Sequence, residues 1–428
     1  MKVLIKPTAV ILQNALIRPR IETEDLEAVI SKIFNEIQLS GDIAVQKFSQ
    51  QFDQSTLEDF LVTEAEFEAA EKTISPELKN AIQIAANNIE LFHKTQQTTE
   101  NEVETTAGVR CWRKSVPIQK VGLYIPGGTA PLFSTVLMLG IPAKIAGCSL
   151  KIMCTPPNKL GQIHPAILVA AKIAGIQTIF KVGGAQAIAA MTIGTKQIPQ
   201  VDKLFGPGNQ YVTAAKQFAQ RNGVAIDMPA GPSEVLVAAD DSIPPAFVAA
   251  DLLAQAEHGV DSQVVFITDS EEYVAQVKFQ IQTQLLQLPR AETAKSALAL
   301  SVAIVVPVEK WVDIINEYAP EHLIVMGKNE QLIVDQVVNA GSVFVGEYTA
   351  ESFGDYASGT NHTLPTAGFA RSYSGVSLDS FVKKITYQQI SKIGLENLGN
   401  VVITMAEAEE LQAHANAIKV RLESIQAF

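Results

Sequence analysis

The chain predicts an α/β fold in which two parallel sheets follow one another. Three observations carry that expectation. Between residues 116 and 232, short apolar runs rich in Val, Ile and Leu alternate with helical patterns, the signature of βαβ units with both sheet faces covered. The alternation restarts at Glu234. The chain's 428 residues exceed what one core supports, about 250–300 residues.

The N-terminal Met-Lys-Val-Leu-Ile-Lys-Pro-Thr-Ala-Val-Ile-Leu-Gln is briefly apolar, and residues 21–100 read as acidic amphipathic helices, as in Glu24-Asp-Leu-Glu-Ala-Val-Ile-Ser-Lys-Ile-Phe and Pro76-Glu-Leu-Lys-Asn-Ala-Ile. Strands follow at Lys120–Ile125, Leu150–Cys154, Thr178–Val182 and Ala225–Met228. The helical stretches between them are Phe133–Ile145, His164–Ala174, Ala185–Ile193 and Tyr211–Arg221. The second series has strands at Glu234–Ala239, Gln263–Thr268, Val302–Val306 and Ser342–Val345, with helices at Pro244–Ala256 and Lys310–Tyr318. Past Gly375 the alternation stops, and residues 377–428 read as mostly helical.

A hydrophobic content of 47% with 18% charged residues describes a well-packed soluble enzyme. The net charge of −12 argues against nucleic acid and against an anionic membrane surface, both of which select basic faces. No apolar stretch reaches the ~18 residues of a membrane span, and the N-terminus lacks a small-residue cleavage site. Cys111, Cys148 and Cys154 make no metal pattern and fit reduced cytoplasmic thiols. Cys148 and Cys154 have no neighbouring base, so they read as inert core residues rather than nucleophiles.

Open parallel sheets bind ligands beyond the C-terminal ends of their strands. Loops of suitable composition stand there: Pro126-Gly-Gly-Thr, Gly183-Gly-Ala-Gln186, Gly206-Pro-Gly-Asn209 and Pro229-Ala-Gly-Pro-Ser233. Glycine lets backbone approach a ligand, and a following helix N-terminus favours an anion such as a pyrophosphate. None of the loops fits G-x-G-x-x-G, so the usual dinucleotide fingerprint is missing.

Four of the six histidines lie in short polar motifs: Gln255-Ala-Glu-His258, Pro320-Glu321-His322, Gly354-Asp355-Tyr-Ala-Ser-Gly-Thr-Asn361-His362 and Glu409-Glu-Leu-Gln-Ala-His414. His93 and His164 lie outside every motif and are expected at the surface or at helix caps. Gln255 and His258 are spaced to share a helix face, with Gly259 closing the helix. Asp355 and His414 could complete a set of two imidazoles, a carboxylate and an amide. That donor set suits Zn²⁺ or Mn²⁺ better than a structural thiolate site. Glu321 and His322, as neighbours, would splay apart on a helix, whereas a loop could aim both at one cavity.

Together with Val121-Gly-Leu-Tyr124-Ile-Pro-Gly-Gly, Phe205-Gly-Pro-Gly-Asn209 and Asp227-Met-Pro-Ala-Gly-Pro-Ser233-Glu, these motifs closely resemble the histidinol dehydrogenase family, in matching order from about residue 20 to the C-terminus. The resemblance implies two Rossmann-like parallel-sheet domains, an N-terminal arm and a small helical C-terminal domain exchanged in a homodimer. The expected bounds are 1–19 for the arm, 20–123 plus 233–376 for a first domain with metal and catalytic residues, 124–232 for an NAD-side domain, and 377–428 for the tail.

The activity the resemblance implies is zinc- and NAD-dependent oxidation of L-histidinol to L-histidine. Tyr124, Gln186 and Asn209 match NAD-contacting positions. Gln255, His258, Asp355 and His414 match metal ligands. His322 matches the base that takes the hydroxyl proton, and Glu321 the carboxylate that activates water for aldehyde oxidation. Ser233, His362 and Glu409 match substrate contacts, which Gln255, His258, His322, Asp355 and His414 also supply. Competing expectations are a relative oxidising another amino alcohol, a metallohydrolase using Glu321 as base, and a two-lobed binding protein.

Overall fold

The computed structural model describes residues 1–18, 26–127, 130–229 and 231–426. Glu24 and Asp25 of the first expected helix, Gly128 and Thr129 of one glycine loop, and Ala230 of another lie outside the described residues. In chain order the strands begin β1 (Lys2–Ile5), β2 (Val103–Thr106), β3 (Val109–Pro117), β4 (Lys120–Tyr124) and β5 (Leu150–Cys154). They continue with β6 (Thr178–Phe180), β7 (Lys203–Phe205), β8 (Ala225–Ile226), β9 (Glu234–Ala239) and β10 (Gln263–Thr268). The last four are β11 (Val302–Val305), β12 (His322–Met326), β13 (Ser342–Val345) and β14 (Val382–Ile390).

Both expected sheets form, and each is parallel throughout. One has five strands ordered β6-β5-β4-β7-β8, the other six ordered β1-β11-β10-β9-β12-β13. Their apolar runs are continuous because both faces are buried. On one face of the five-stranded sheet, Val121 and Leu123 join Val136, Met138, Phe67 and Ile82. On the other, Ile152 and Leu204 join Ile30, Phe34, Val45 and Ile188. The six-stranded sheet is covered likewise, by Leu252 and Val277 on one side and Trp311 and Ile315 on the other.

The packing cuts across the expected domain bounds. Helices Leu26–Ser40, Glu64–Thr73 and Pro76–Lys94 pack on the five-stranded sheet, not on the six-stranded one. The N-terminal segment joins the six-stranded sheet, where β1 pairs with β11 at the edge. The expectation that residues 377–428 are mostly helical needs a correction at β14, which pairs antiparallel with β3 in a third sheet, β14-β3-β2. Val-Lys-Lys-Ile-Thr-Tyr breaks the period of two at its paired lysines and is almost wholly exposed, so it lacks the alternation and the buried face that mark a strand in sequence. Two helices, Lys392–Ala408 and Gln412–Gln426, complete the tail.

In both large sheets the chain reverses its direction of winding at a defined pair, β4/β7 in one and β9/β12 in the other. Such reversals open crevices at strand ends. The short connection 227–233 leads from the C-terminal end of β8 to the N-terminal end of β9, so opposite sheet edges meet. Across that junction Gly231 N–H donates to Thr366 Oγ1, and Thr135 Oγ1 stands 3.4 Å from His362 Nε2. Among the described residues no helix is long and apolar enough to cross a membrane.

Candidate active site

The β4/β7 reversal forms the wall of a cavity of about 1420 Å³ whose lining includes Tyr124, Gly127, Gly184, Gln186 and Asn209. Each of the three cofactor candidates is held by its own local structure. Tyr124 ends β4, and its hydroxyl accepts from Gly184 N–H at 3.0 Å. Gln186 sits in the first turn of helix Gly184–Ile193, its amide donating to Asp53 Oδ2 at 2.9 Å. Asn209 caps helix Gln210–Arg221, accepting from the N–H groups of Tyr211 and Val212. A helix N-terminus beside a cavity of this size suits a phosphate-bearing ligand.

The Glu321–His322 pair lies at the other sheet, and at its N-terminal rather than its C-terminal edge. Glu321 directly precedes β12 and His322 is its first residue, so the pair occupies the N-terminal edge beside the start of β9. Glu321 lies in the bend before the strand rather than at a helix start, and His322 opens the strand, which lets the neighbouring side chains meet in one place. Both are buried, each 5% exposed. Glu321 Oε2 accepts from Glu234 N–H at 3.0 Å. His322 Nδ1 lies 3.4 Å from Glu234 O, 3.5 Å from Glu351 Oε1 and 3.7 Å from Glu321 Oε2. Its Nε2 has no hydrogen-bond partner and stands 3.7 Å from Asp355 Oδ1.

Burial sets the charge states. It lowers His322 to about 3 and His362 to about 4, holding both imidazoles neutral. Burial also pushes Glu321 and Glu351 well above the usual carboxylate range, helped by neighbouring negative groups. Asp355 and Asp251 rise to about 7 for the same first cause.

Helix Pro245–Ala256 carries Gln255, fully buried, to this edge. The Gln255 amide reaches Glu351 Oε1 at 2.6 Å and Glu234 N at 3.3 Å, satisfying both when its nitrogen faces the carboxylate. The helix stops at Ala256, so the expected shared helix face of Gln255 and His258 is not formed; His258 follows in a turn, its N–H donating to Gln255 O. It remains exposed at the rim, although desolvation still lowers its imidazole. Asp355 stands not in a loop but on the short helix Glu351–Tyr356, one turn after Glu351. Ser233 is half-buried just before β9. Glu409 and His414 are exposed, at the end of helix Lys392–Ala408 and on helix Gln412–Gln426.

Among the described residues, the only side chains of metal-ligating type grouped closely enough to share an ion are His322, Glu351 and Asp355. His414 does not join them within one chain. Asp251, Glu321 and Glu351 are buried and Asp355 half-buried in one cluster; Glu351 Oε2 lacks any partner, and burial and mutual repulsion raise the carboxyls of Glu321 and Glu351. Oxygen donors with imidazole at hand make a divalent cation fit this place.

Glu351 is the residue that sequence reasoning missed. Its spacing of four from Asp355 would have placed both on one helix face, but the stretch reads as a polar loop. His93, expected at the surface or a cap, is fully buried, with Nδ1 bonded to Ile89 O and Nε2 near Asn361. His164 does cap a helix, accepting from Ala166 N–H. Cys148 and Cys154 are buried, and desolvation raises both thiols, Cys148 to about 11. Neither is poised as a nucleophile.

Fold and site together define an α/β enzyme, with a large crevice at one sheet's reversal point and a buried Glu–His pair at the other sheet's edge. Residues 16–422 match the histidinol dehydrogenase family. Relatives with that name from Bacteroides fragilis and Xanthomonas campestris pv. campestris are 56% and 51% identical, each match covering 96% of both chains. The crystal structure of histidinol dehydrogenase from Elizabethkingia anophelis superposes with a TM-score of 0.97 at 54% identity, covering 100% of this chain and 99% of that one. The chain belongs to the histidinol dehydrogenase family.

Proposed function

We propose that the chain oxidises L-histidinol to L-histidine through L-histidinal, the last step of histidine biosynthesis, reducing two NAD⁺. The observation that carries the chemical reading is the unpartnered Nε2 of a buried, neutral His322 beside the buried Glu321. An imidazole whose Nδ1 faces Glu234 O and Glu351 keeps its Nε2 lone pair free to take a proton. In the first oxidation the hydroxyl proton passes to His322 as hydride leaves carbon for the nicotinamide. In the second, water adds to the aldehyde with Glu321 in its ionised form accepting the proton, and a second hydride goes to a second NAD⁺; the raised affinity of Glu321 for a proton makes that form a strong base. The water's oxygen becomes the second carboxylate oxygen of the product.

Tyr124, Gln186 and Asn209 are assigned to NAD, supported by their common cavity. Gln255, His258 and Asp355 are assigned to one Zn²⁺, replaceable by Mn²⁺, with His414 delivered by the exchanged tail of a second subunit. Its exposure on the terminal helix leaves it available for that role. When bound, the ion acts as a template that orients the substrate's imidazole and amine. Ser233, His362 and Glu409 are assigned to substrate, and the working form is a cytoplasmic homodimer.

The test is stoichiometric. Each L-histidinol consumed should yield two NADH and one L-histidine. One NADH with accumulating aldehyde would remove Glu321 from its role, and turnover of an ester or amide without nucleotide would favour a hydrolase.

A further inference from the structure

We infer that Arg18, from the N-terminal arm, is a positioning residue for the Glu321–His322 pair. This rests on the reading that the pair carries the chemistry. Arg18 lies far away in sequence, in the segment that follows β1 and helix Ala9–Ala15. Its guanidinium grips both oxygens of Glu234, with Nη2–Oε1 at 2.8 Å. The same Nη2 donates to Tyr318 O at 2.6 Å and approaches Ala319 O at 3.3 Å. The guanidinium also lies over the Tyr318 ring, 4.0 Å from its centroid. Tyr318 OH in turn donates to Gln263 Oε1 at 2.9 Å.

These contacts bear on both members of the pair. Glu234 is the first residue of β9, and its backbone touches both acting groups: N–H to Glu321 Oε2, and C=O facing His322 Nδ1. Tyr318 and Ala319 form the backbone that enters Pro320-Glu321-His322. Ala319 holds φ +51°, a left-handed conformation strained for a residue with a Cβ. One planar fork thus ties the start of β9 to the turn before β12, closing the gap whose width sets where Glu321 and His322 stand. Lysine, a single point donor, could hold the carboxylate or the carbonyls but not all of them at once. Nearest the site, Arg18 is the only cation that offsets the buried Glu234 carboxylate among the salt bridges of the described residues.

A misplacement of about 1 Å in a catalytic group costs up to ~100-fold in rate. Arg18→Ala should therefore lower kcat about tenfold or more for histidinol and histidinal alike, with the KM for NAD⁺ unchanged. Millimolar guanidinium ion should restore part of that activity, whereas it should not rescue His322→Asn. Arg18→Lys should fall between Arg18→Ala and wild type. If Arg18→Ala does not fold, Arg18→Lys decides: reduced kcat with wild-type far-UV circular dichroism and Tm supports the role, and wild-type kcat overturns it. A kcat loss that merely tracks the unfolded fraction also overturns it. Glu321→Gln and His322→Asn run in parallel. If those two retain full activity, the underlying reading of the pair has failed; if they are impaired while Arg18→Ala is not, only the role of Arg18 has.

Discussion

Gly206→Ala isolates what the crevice loop does. Gly206 follows β7 at φ +128°, and a Cβ there would lie 2.1 Å from Tyr124 O. Carbon–oxygen contacts of that kind do not fall below 3.0 Å, so the backbones must separate by at least about 0.9 Å. The loop cannot retreat freely. Gly206 N–H donates to Asp227 Oδ2 and Gly206 O accepts from Lys216 Nζ, both at 2.8 Å, and Lys216 is itself paired with the buried Asp227. The strain therefore falls on Tyr124 and on Gly206-Pro-Gly-Asn209, which hold two of the three assigned NAD contacts. Left-handed strain adds about 1–3 kcal/mol against folding. A shift near 1 Å in a positioning element corresponds to as much as ~100-fold. The KM for NAD⁺ should rise about tenfold to 100-fold, measured by initial NADH formation across NAD⁺ concentrations, while the KM for histidinol changes little. Gly223→Ala is the control: φ is +83° there too, but nothing lies within 4 Å of the new Cβ. It should lower stability without touching KM. An unchanged KM in a folded Gly206→Ala protein would refute the assignment of this crevice to the dinucleotide.

His322→Asn should slow both oxidations, and Glu321→Gln mainly the aldehyde step, by about 10²–10⁴-fold; effects confined to KM would make the pair a binding element. Chelation should abolish turnover while circular dichroism stays native, and metal analysis should show loss of the ion in His258→Asn and His414→Asn but not in His164→Asn. Mixing His414 and His322 variants should restore activity if the tail is exchanged, since one site of each heterodimer is then intact; proven heterodimers without activity would confine the site to one chain. Burial lowers His93 from its ordinary 6.5 against the opposing bond to Ile89 O. The unfolded chain then binds the extra proton more readily, so this contribution to stability is present above about pH 6.5 and lost as pH falls toward the folded value. The urea midpoint of wild type should drop more between about pH 7.5 and about pH 5.5 than that of His93→Gln; parallel drops would refute the assignment.

Sequence by itself determined the architecture wherever a local signal had a buried face behind it. The runs at β4, β5, β9, β10 and β11 are apolar because helices cover both their faces, and covered strands advertise themselves. The motif residues were legible for a different reason: Glu321, His322 and Asp355 are polar groups placed amid a packable background, where burial is costly without a chemical use. What only the tertiary structure decided is how those pieces meet. β14 has no buried face and finds its partner β3 more than 260 residues away, so nothing local marks it. Helices 26–94 are amphipathic whichever sheet they cover, and their attachment to the five-stranded one follows from shape. Glu351 and Arg18 gain their meaning only where helix Glu351–Tyr356 and the N-terminal arm converge on the edge of β9 and β12. A charge's environment is a property of the fold: burial drives His322 down and Glu321 up, and no sequence pattern encodes the loss of water around them.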